Sequence, residues 1–183
     1  MHTLSSCKTA LDQGRLTWRH NNIIKYIVDC IDTSKYTLHS DIEGLMTSNG
    51  GTIPAHVAVT VLKPDITVLD EKQKTFEILE LSVPFEANIT ARHSHKENKY
   101  AHFLSDITHY KSTVKCFEVG ARGFLTSDNI KRLKHIHTLC KKTVKQKTFL
   151  ENISALSIMS SYYIFTARKN PTWDDTGYLN PPL

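Results

Sequence analysis

The feature that most constrains how this chain folds is an acid inside an apolar strand. Glu80 lies within Phe76-Glu77-Ile78-Leu79-Glu80-Leu81-Ser82-Val83, a run of β-prone and mostly apolar residues. A carboxylate buried there is costly unless it is paired or holds a metal. The run follows Pro64-Asp65-Ile66-Thr67-Val68-Leu69 and a polar turn, Asp70 to Lys74. This pattern predicts a hairpin with strands over 64–69 and 75–83. Fourteen residues separate Asp65 from Glu80, which sets the two acids on adjacent strands. Two such carboxylates suit Mg²⁺ or Mn²⁺, hard cations that take oxygen ligands and keep waters for chemistry. A hairpin with two salt-bridged acids is the plainer alternative. Glu77 is a rival ligand, but strand alternation turns it to the face opposite Glu80 and Ser82.

Around the hairpin the periodicity predicts a helix over 20–31, where Ile23, Ile24, Ile27, Val28 and Ile31 share a stripe. A loop over 44–52 contains Asn49-Gly50-Gly51, and the valines of 56–62 suggest a further strand. A long helix over 91–110 follows, then a short strand over 116–119. Another helix starts at Ser127 or Asp128 and runs to about Lys147, and a last one covers 150–168. The fold class is α/β, a central mixed sheet flanked by helices with extra C-terminal helices. Residues 1–19 read as an N-terminal segment, 20–169 as the domain and 170–183 as a flexible tail. With 183 residues, 40% hydrophobic and 22% charged, the composition excludes a disordered or fibrous chain. No apolar run is long enough for a spanning helix, and the first residues lack a secretory signal. The cysteines (Cys7, Cys30, Cys116 and Cys140) are scattered, which fits reduced thiols and an intracellular setting. The formal net charge of +5 favours a polyanion as partner, and with no spanning run no membrane partner is expected.

Pro64-Asp65, the gap, and Glu80-Leu81-Ser82 resemble the signature of PD-(D/E)xK nucleases. Extended to Val83-Pro84-Phe85-Glu86, the stretch resembles the restriction-like endonuclease domain of non-LTR retrotransposon proteins. Lys96-Glu97-Asn98-Lys99-Tyr100 is similar to that family's KxxKY pattern, and Glu118-Val119-Gly120-Ala121-Arg122-Gly123-Phe124 to its EVGxRGF pattern. Gly14-Arg15-Leu16-Thr17-Trp18-Arg19-His20 resembles the segment that precedes the domain, so the likeness covers about residues 2–169. The position that usually carries lysine in the nuclease signature holds Ser82. In the retrotransposon branch the lysine comes from the following helix, which assigns the role to Lys96 or Lys99. The resemblance implies a restriction-endonuclease-like fold and a Mg²⁺-dependent (or Mn²⁺-dependent) DNA endonuclease. Asp65 and Glu80 would bind the metal, Lys96 or Lys99 would act on the phosphate or nucleophile, and Tyr100 would support them. The partners implied are double-stranded DNA, branched or not, and a linked or separate reverse transcriptase primed by the nicked end, with a nuclear site of action. A catalytically silent DNA-binding protein and a structure-specific junction resolvase are the rival readings.

Other features are weaker. Lys131, Lys134, Lys141, Lys142 and Lys145 line one side of the helix expected after Asp128, as a phosphate track or a merely solvated face. Arg122 either approaches DNA or pairs locally, for example with Glu118. His2 and Cys7 have the spacing of the last two ligands of a zinc knuckle, but the CxxC half is absent, so no zinc is expected. His93 and His95 flank the lysine motif and read as exposed or phosphate-facing. Cys140 reads as core. Trp18 is expected against the sheet and Trp173 along the surface.

Overall fold

The computed structural model describes residue 4 and residues 7–181. After a short helix α1 (Lys8–Asp12), the chain forms α2 (Arg15–Cys30), β1 (Thr37–Ser40), β2 (Ile66–Asp70) and β3 (Thr75–Ser82). Then come α3 (Ile89–Ser105), β4 (Lys111–Glu118), α4 (Ser127–His137) and α5 (Gln146–Thr166). The strands make one sheet in the order β1-β2-β3-β4. β1–β2 and β2–β3 are antiparallel, whereas β3–β4 is parallel, with α3 as the crossover. The protein is therefore a mixed α/β fold with a four-stranded mixed sheet flanked by helices. No helix of the described residues is long and apolar enough to cross a membrane.

Side-chain alternation divides the core. Ile66, Val68, Leu79, Leu81 and Phe117 pack with α2, α4 and α5 through Ile23, Ile27, Leu133, Ile136, Ile153 and Leu156. Leu69, Phe76 and Ile78 pack on the other face with Tyr100, Ile107 and Tyr110. Glu80 belongs to the α3 face with Phe76 and Ile78, and Glu77 to the opposite one.

The valine-rich segment over 56–62 is not a strand. Val57 is buried, but Val59 and Val61 are 93% and 95% exposed. The edge beside β2 is taken by β1, and the valine segment pairs with no strand of the sheet. β1 itself is only four residues long and mixes Thr and His with Leu, which hid it from pattern reading. α3 stops at Ser105 instead of Tyr110, as the Ser105 hydroxyl donates to the His102 carbonyl. Ile107 and Tyr110 are buried from the following loop.

The helix expected over 128–147 breaks after His137. The chain pairs back to the end of α2: Asp32 N donates to Leu139 O at 3.0 Å and Lys141 N to Cys30 O at 2.9 Å. Cys140 is buried beside Ile31, its bridge partner. The side-chain cap of α4 is Thr126, which accepts from Asn129 N. β4 starts at Lys111, well before Cys116, α2 begins at Arg15, and α5 begins at Gln146. The residue 19/20 boundary thus falls inside a helix.

Residues 170–179 are tied to α2. Trp18 Nε1 donates to Gly177 O at 2.6 Å, Leu179 N to Asn22 Oδ1 at 2.6 Å, and Arg15 Nη2 to Asn170 O at 2.8 Å. Trp18 meets Trp173 edge-on at 5.2 Å, so it packs against the tail and not the sheet.

The turn after β4 docks on α5 through three serines. Ser154 donates to Gly123 O, Ser157 to Gly120 O, and Ser161 to Ala121 O. Gly123 has φ +81°, and a Cβ there would lie 2.7 Å from Ile158 Cγ1. Gly123→Ala combines backbone strain with overpacking, so denaturant unfolding is expected to show a loss of at least about 2 kcal/mol. An unchanged midpoint would show that the turn is not seated this way.

Candidate functional site

The β2–β3 register explains why the two acids meet. Ile66 faces Leu79, so one further step sets Asp65 opposite Glu80. Both lie at the end of the hairpin far from its turn, where α2 and α3 pass on either side. Glu80 is 1% exposed and the Asp65 side chain 16%. Asp65 is anchored by its own strand partner: Leu81 N donates to Oδ2 at 2.7 Å.

Lys96, from α3, brings its ammonium to three oxygens. Nζ donates to Glu80 Oε2, to Leu81 O at 2.9 Å and to Asp65 Oδ2 at 3.4 Å. One turn on, the Tyr100 hydroxyl donates to Glu80 Oε1. Lys99 Nζ lies 2.9 Å from that hydroxyl and 3.7 Å from Glu80 Oε1. Lys96 therefore touches both acids, while Lys99 approaches only Glu80. The i, i+3 and i+4 spacing of a helix places these groups on one face over the strand ends.

His20 completes the cluster from α2, with Nε2 3.2 Å from Asp65 Oδ2. It was not among the residues expected in the site. Its only sequence signal was its place in the Trp18-Arg19-His20 stretch, with nothing to show that α2 crosses the strand ends.

The charges are strongly coupled. Burial pushes the Glu80 carboxyl up, the adjacent Asp65 adds to this, and Lys96 offsets it in part. Burial also works against Asp65, but His20 and then Lys96 outweigh it and hold that carboxyl below the usual range. The Lys96 ammonium is opposed by burial, yet the two acids raise its pKa. Burial and then Glu80 push the Tyr100 phenol up, so it remains a donor.

Glu77 lies on the other face, where it accepts from Thr113 Oγ1 at 3.1 Å and meets His135 Nε2 at 2.9 Å. Glu118 is buried and holds His93, with Nδ1 at 3.0 Å from Oε1. Arg122 pairs instead with Glu86, Nε to Oε2 at 3.0 Å, and its own backbone N–H donates to Glu86 Oε1. A Cβ on Gly120 would lie 2.7 Å from Glu86 Oε1, so the Gly-x-Arg pattern has a packing reason.

The lysine stripe is split. Lys131 and Lys134 are on α4, Lys131 pairing with Asp128 at 3.0 Å. Lys141, Lys142 and Lys145 lie in the connection to α5 because the helix breaks, and Lys141 Nζ donates to Asp29 O. His95 is exposed on α3. Cys7 is a free thiol, and His2 falls outside the described residues.

Among the described residues no group of three or more His, Cys, Asp or Glu is arranged to hold a metal ion. The oxygen set around Lys96 is different in kind: two carboxylates and a backbone carbonyl, hard donors facing one cationic group. Beside Asp65 opens a cleft of about 550 Å³ whose walls include Arg19, His20, Asn88 and Arg92. No protein-family model and no curated protein matches the chain.

Lys96→Met is expected to remove the cation that bridges Glu80 and Asp65, leaving only Lys99 at 3.7 Å from Glu80 Oε1, and to raise the folded-state pKa of Glu80 further. Stability from such a raised group is present at low pH and lost as pH rises through the folded pKa. Denaturant unfolding of Lys96→Met should thus show stability falling as pH rises above the ordinary glutamate range, more steeply than in the wild type. Parallel profiles for the two proteins would contradict the charge coupling described.

Proposed function

We propose that this protein is a metal-dependent DNA endonuclease of restriction-endonuclease-like fold. The observation that carries the reading is the convergence of Asp65, Glu80 and the Leu81 carbonyl on one cationic group beside an open cleft lined by Arg19, Arg92 and Asp41. A half-buried lysine held by two acids alone would be an internal ion pair, for which removal from water leaves small net stabilisation. The open cleft beside it, and the resemblance of Lys63–Glu86, Lys96–Tyr100 and Glu118–Phe124 to one retrotransposon nuclease domain, tip the balance to chemistry.

Asp65, Glu80 and the Leu81 carbonyl fit Mg²⁺ or Mn²⁺, since both prefer oxygen ligands and complete their shell with water. When bound, such an ion supplies a Lewis acid for the phosphoryl oxygen and acidifies a water. Tyr100 keeps Glu80 oriented by donating to its outer oxygen. Leu81 N does the same for Asp65. Lys96 is long enough to leave the oxygens and remain beside them, where its ammonium offsets the charge that builds on the phosphate. Lys99 is the second cation of that helix face, held at the Tyr100 hydroxyl. His20 steadies Asp65 from the cleft side. Lys131, Lys134, Lys141, Lys145 and Arg122 would add sequence-independent attraction for the phosphate backbone. The same resemblance gives the nicked 3′ end to a linked or separate reverse transcriptase.

The test is nicking of supercoiled plasmid at low salt. Wild type is expected to nick with Mg²⁺ or Mn²⁺ and to stop on chelation. Asp65→Ala and Glu80→Ala are expected to abolish nicking, and Lys96→Met to lower kcat by about 100-fold or more. DNA binding without metal-dependent nicking would make the protein a silent binder. A strong preference for branched over linear duplex would make it a junction resolvase.

A further inference from the structure

The two outer strands of the sheet are finished differently. β1 is four residues long, and on its outer side Ser40 N donates to Leu45 O at 2.9 Å. β4 runs for eight residues in unbroken parallel register with β3, without proline, glycine or bulge. Lys111 N donates to Lys74 O at 2.8 Å and Val119 N to Ser82 O at 3.0 Å, so the odd-numbered residues turn their backbone groups toward β3. The even-numbered ones turn theirs outward. Glu118 N shows this parity by donating to Asn129 Oδ1 on α4 at 3.1 Å, which closes the edge at that end. Ser112 and Val114, both half-buried, have no hydrogen-bond partner for their outward backbone N–H and C=O groups among the described residues. Such unpaired groups are a template for an added strand.

The side chains beside this edge determine what such a strand carries. Strand alternation sets Lys111, Thr113 and Lys115 on the face of Glu77, where they line a cavity of about 430 Å³ together with His135 and Leu139. Two acids also line it, and both are engaged within the protein. Glu77 Oε1 meets Thr113 and His135, and its Oε2 is buried. Asp70 Oδ1 accepts from Lys72 N and Gln73 N. By contrast, neither Lys111 nor Lys115 forms an ion pair among the described residues, although both reach the cavity wall. The same lysines disfavour a second copy as the added strand. The antiparallel pairing that uses Ser112 and Val114 of both copies sets Lys111 against Lys115 twice, and like charges directly opposite are destabilising.

We infer that the outer edge of β4 is a docking site for an extended acidic segment of a partner protein. The segment adds a strand to the sheet through the N–H and C=O groups of Ser112 and Val114. Its carboxylates, four residues apart on one face, lie beside Lys111 and Lys115, which have the same spacing. The main-chain bonds supply affinity, and the cross-strand pairs of opposite charge select the sequence. The inference uses no group of the acid pair and stands apart from the nuclease reading.

The probe is an end-blocked heptapeptide of valine and threonine that carries two glutamates four residues apart, titrated into the full chain at low salt and followed by amide NMR. Binding is expected to shift the Ser112 and Val114 amide signals and to slow their hydrogen exchange, while Thr113, turned toward β3, changes little in exchange. The same peptide with lysines in place of glutamates is expected to bind at least about tenfold more weakly. Lys115→Glu should weaken binding of the glutamate peptide by a similar factor, and Lys134→Glu, the same charge change on α4, should leave it unaltered. Ser112→Pro removes an N–H that no sheet bond uses, so the unfolding midpoint is expected to hold while binding is lost. No binding by the wild type, binding without protection of Ser112 and Val114, or equal loss in both charge variants would overturn the inference. Protection of the same amides by raised protein concentration alone would give the edge to a second copy, and protection by a DNA duplex but not by the peptide would give it to nucleic acid; either would overturn it as well.

Discussion

The burial of Glu80 is the condition on which the rest of the site depends. A carboxylate 1% exposed in the central strand of a sheet must be answered by partners from neighbouring elements. α3 supplies two of them, Lys96 and Tyr100, and β2 supplies the second acid that Lys96 bridges. The position of α3 over the sheet is thus fixed both by its apolar contacts and by a charged one. Removing Lys96 leaves an acid pair, and removing Glu80 leaves a half-buried ammonium. Either change strands charge, which makes the three groups a unit rather than separate contributions.

Much of this was legible in the sequence, and the misses have physical causes. The hairpin was readable because β2 and β3 are β-prone runs joined by a polar turn. Parity then set Glu80 on the face opposite Glu77. Lys96, Lys99 and Tyr100 were readable as one helix face. What could not be read was which distant element crosses the strand ends. His20 reaches Asp65 only because α2 passes there, and no local pattern encodes that passage. The valines of 56–62 misled for a related reason: β-propensity describes fitness for a half-buried pleated surface, and this segment pairs with no strand of the sheet. The uninterrupted helix expected beyond Asp128 failed because residues 139–141 bond to the end of α2, a tertiary demand that outweighs the periodicity of Leu133, Ile136 and Cys140.

The turn from Gly120 to Gly123 shows how one motif serves structure on two sides at once. Glu86 fills the space over Gly120 and pairs with Arg122, which ties the exit of β3 to the exit of β4. The serines of α5 hold the same turn from below by donating to its carbonyls. This clasp keeps β3 and β4 together just beyond Glu80 and Ser82. Arg122 therefore has a local partner, and any contact it makes with a polyanion is made from an ion pair at the protein surface, where such pairs are weak enough to exchange.

The parallel pairing of β3 with β4 has a consequence for how the site comes into being. The two acids belong to a hairpin, a local unit that closes early, whereas Lys96 and Tyr100 ride on the crossover helix that the parallel pair holds in place. Parallel pairings need long loops to close and form slowly. A chain emerging into water therefore makes its carboxylate pair first and its countercharge second. In the interval the acids remain solvated and Glu80 cannot be sealed away. Closure of the sheet is then also the step that converts two ordinary surface acids into a dehydrated, charge-balanced centre, so folding and site assembly finish together.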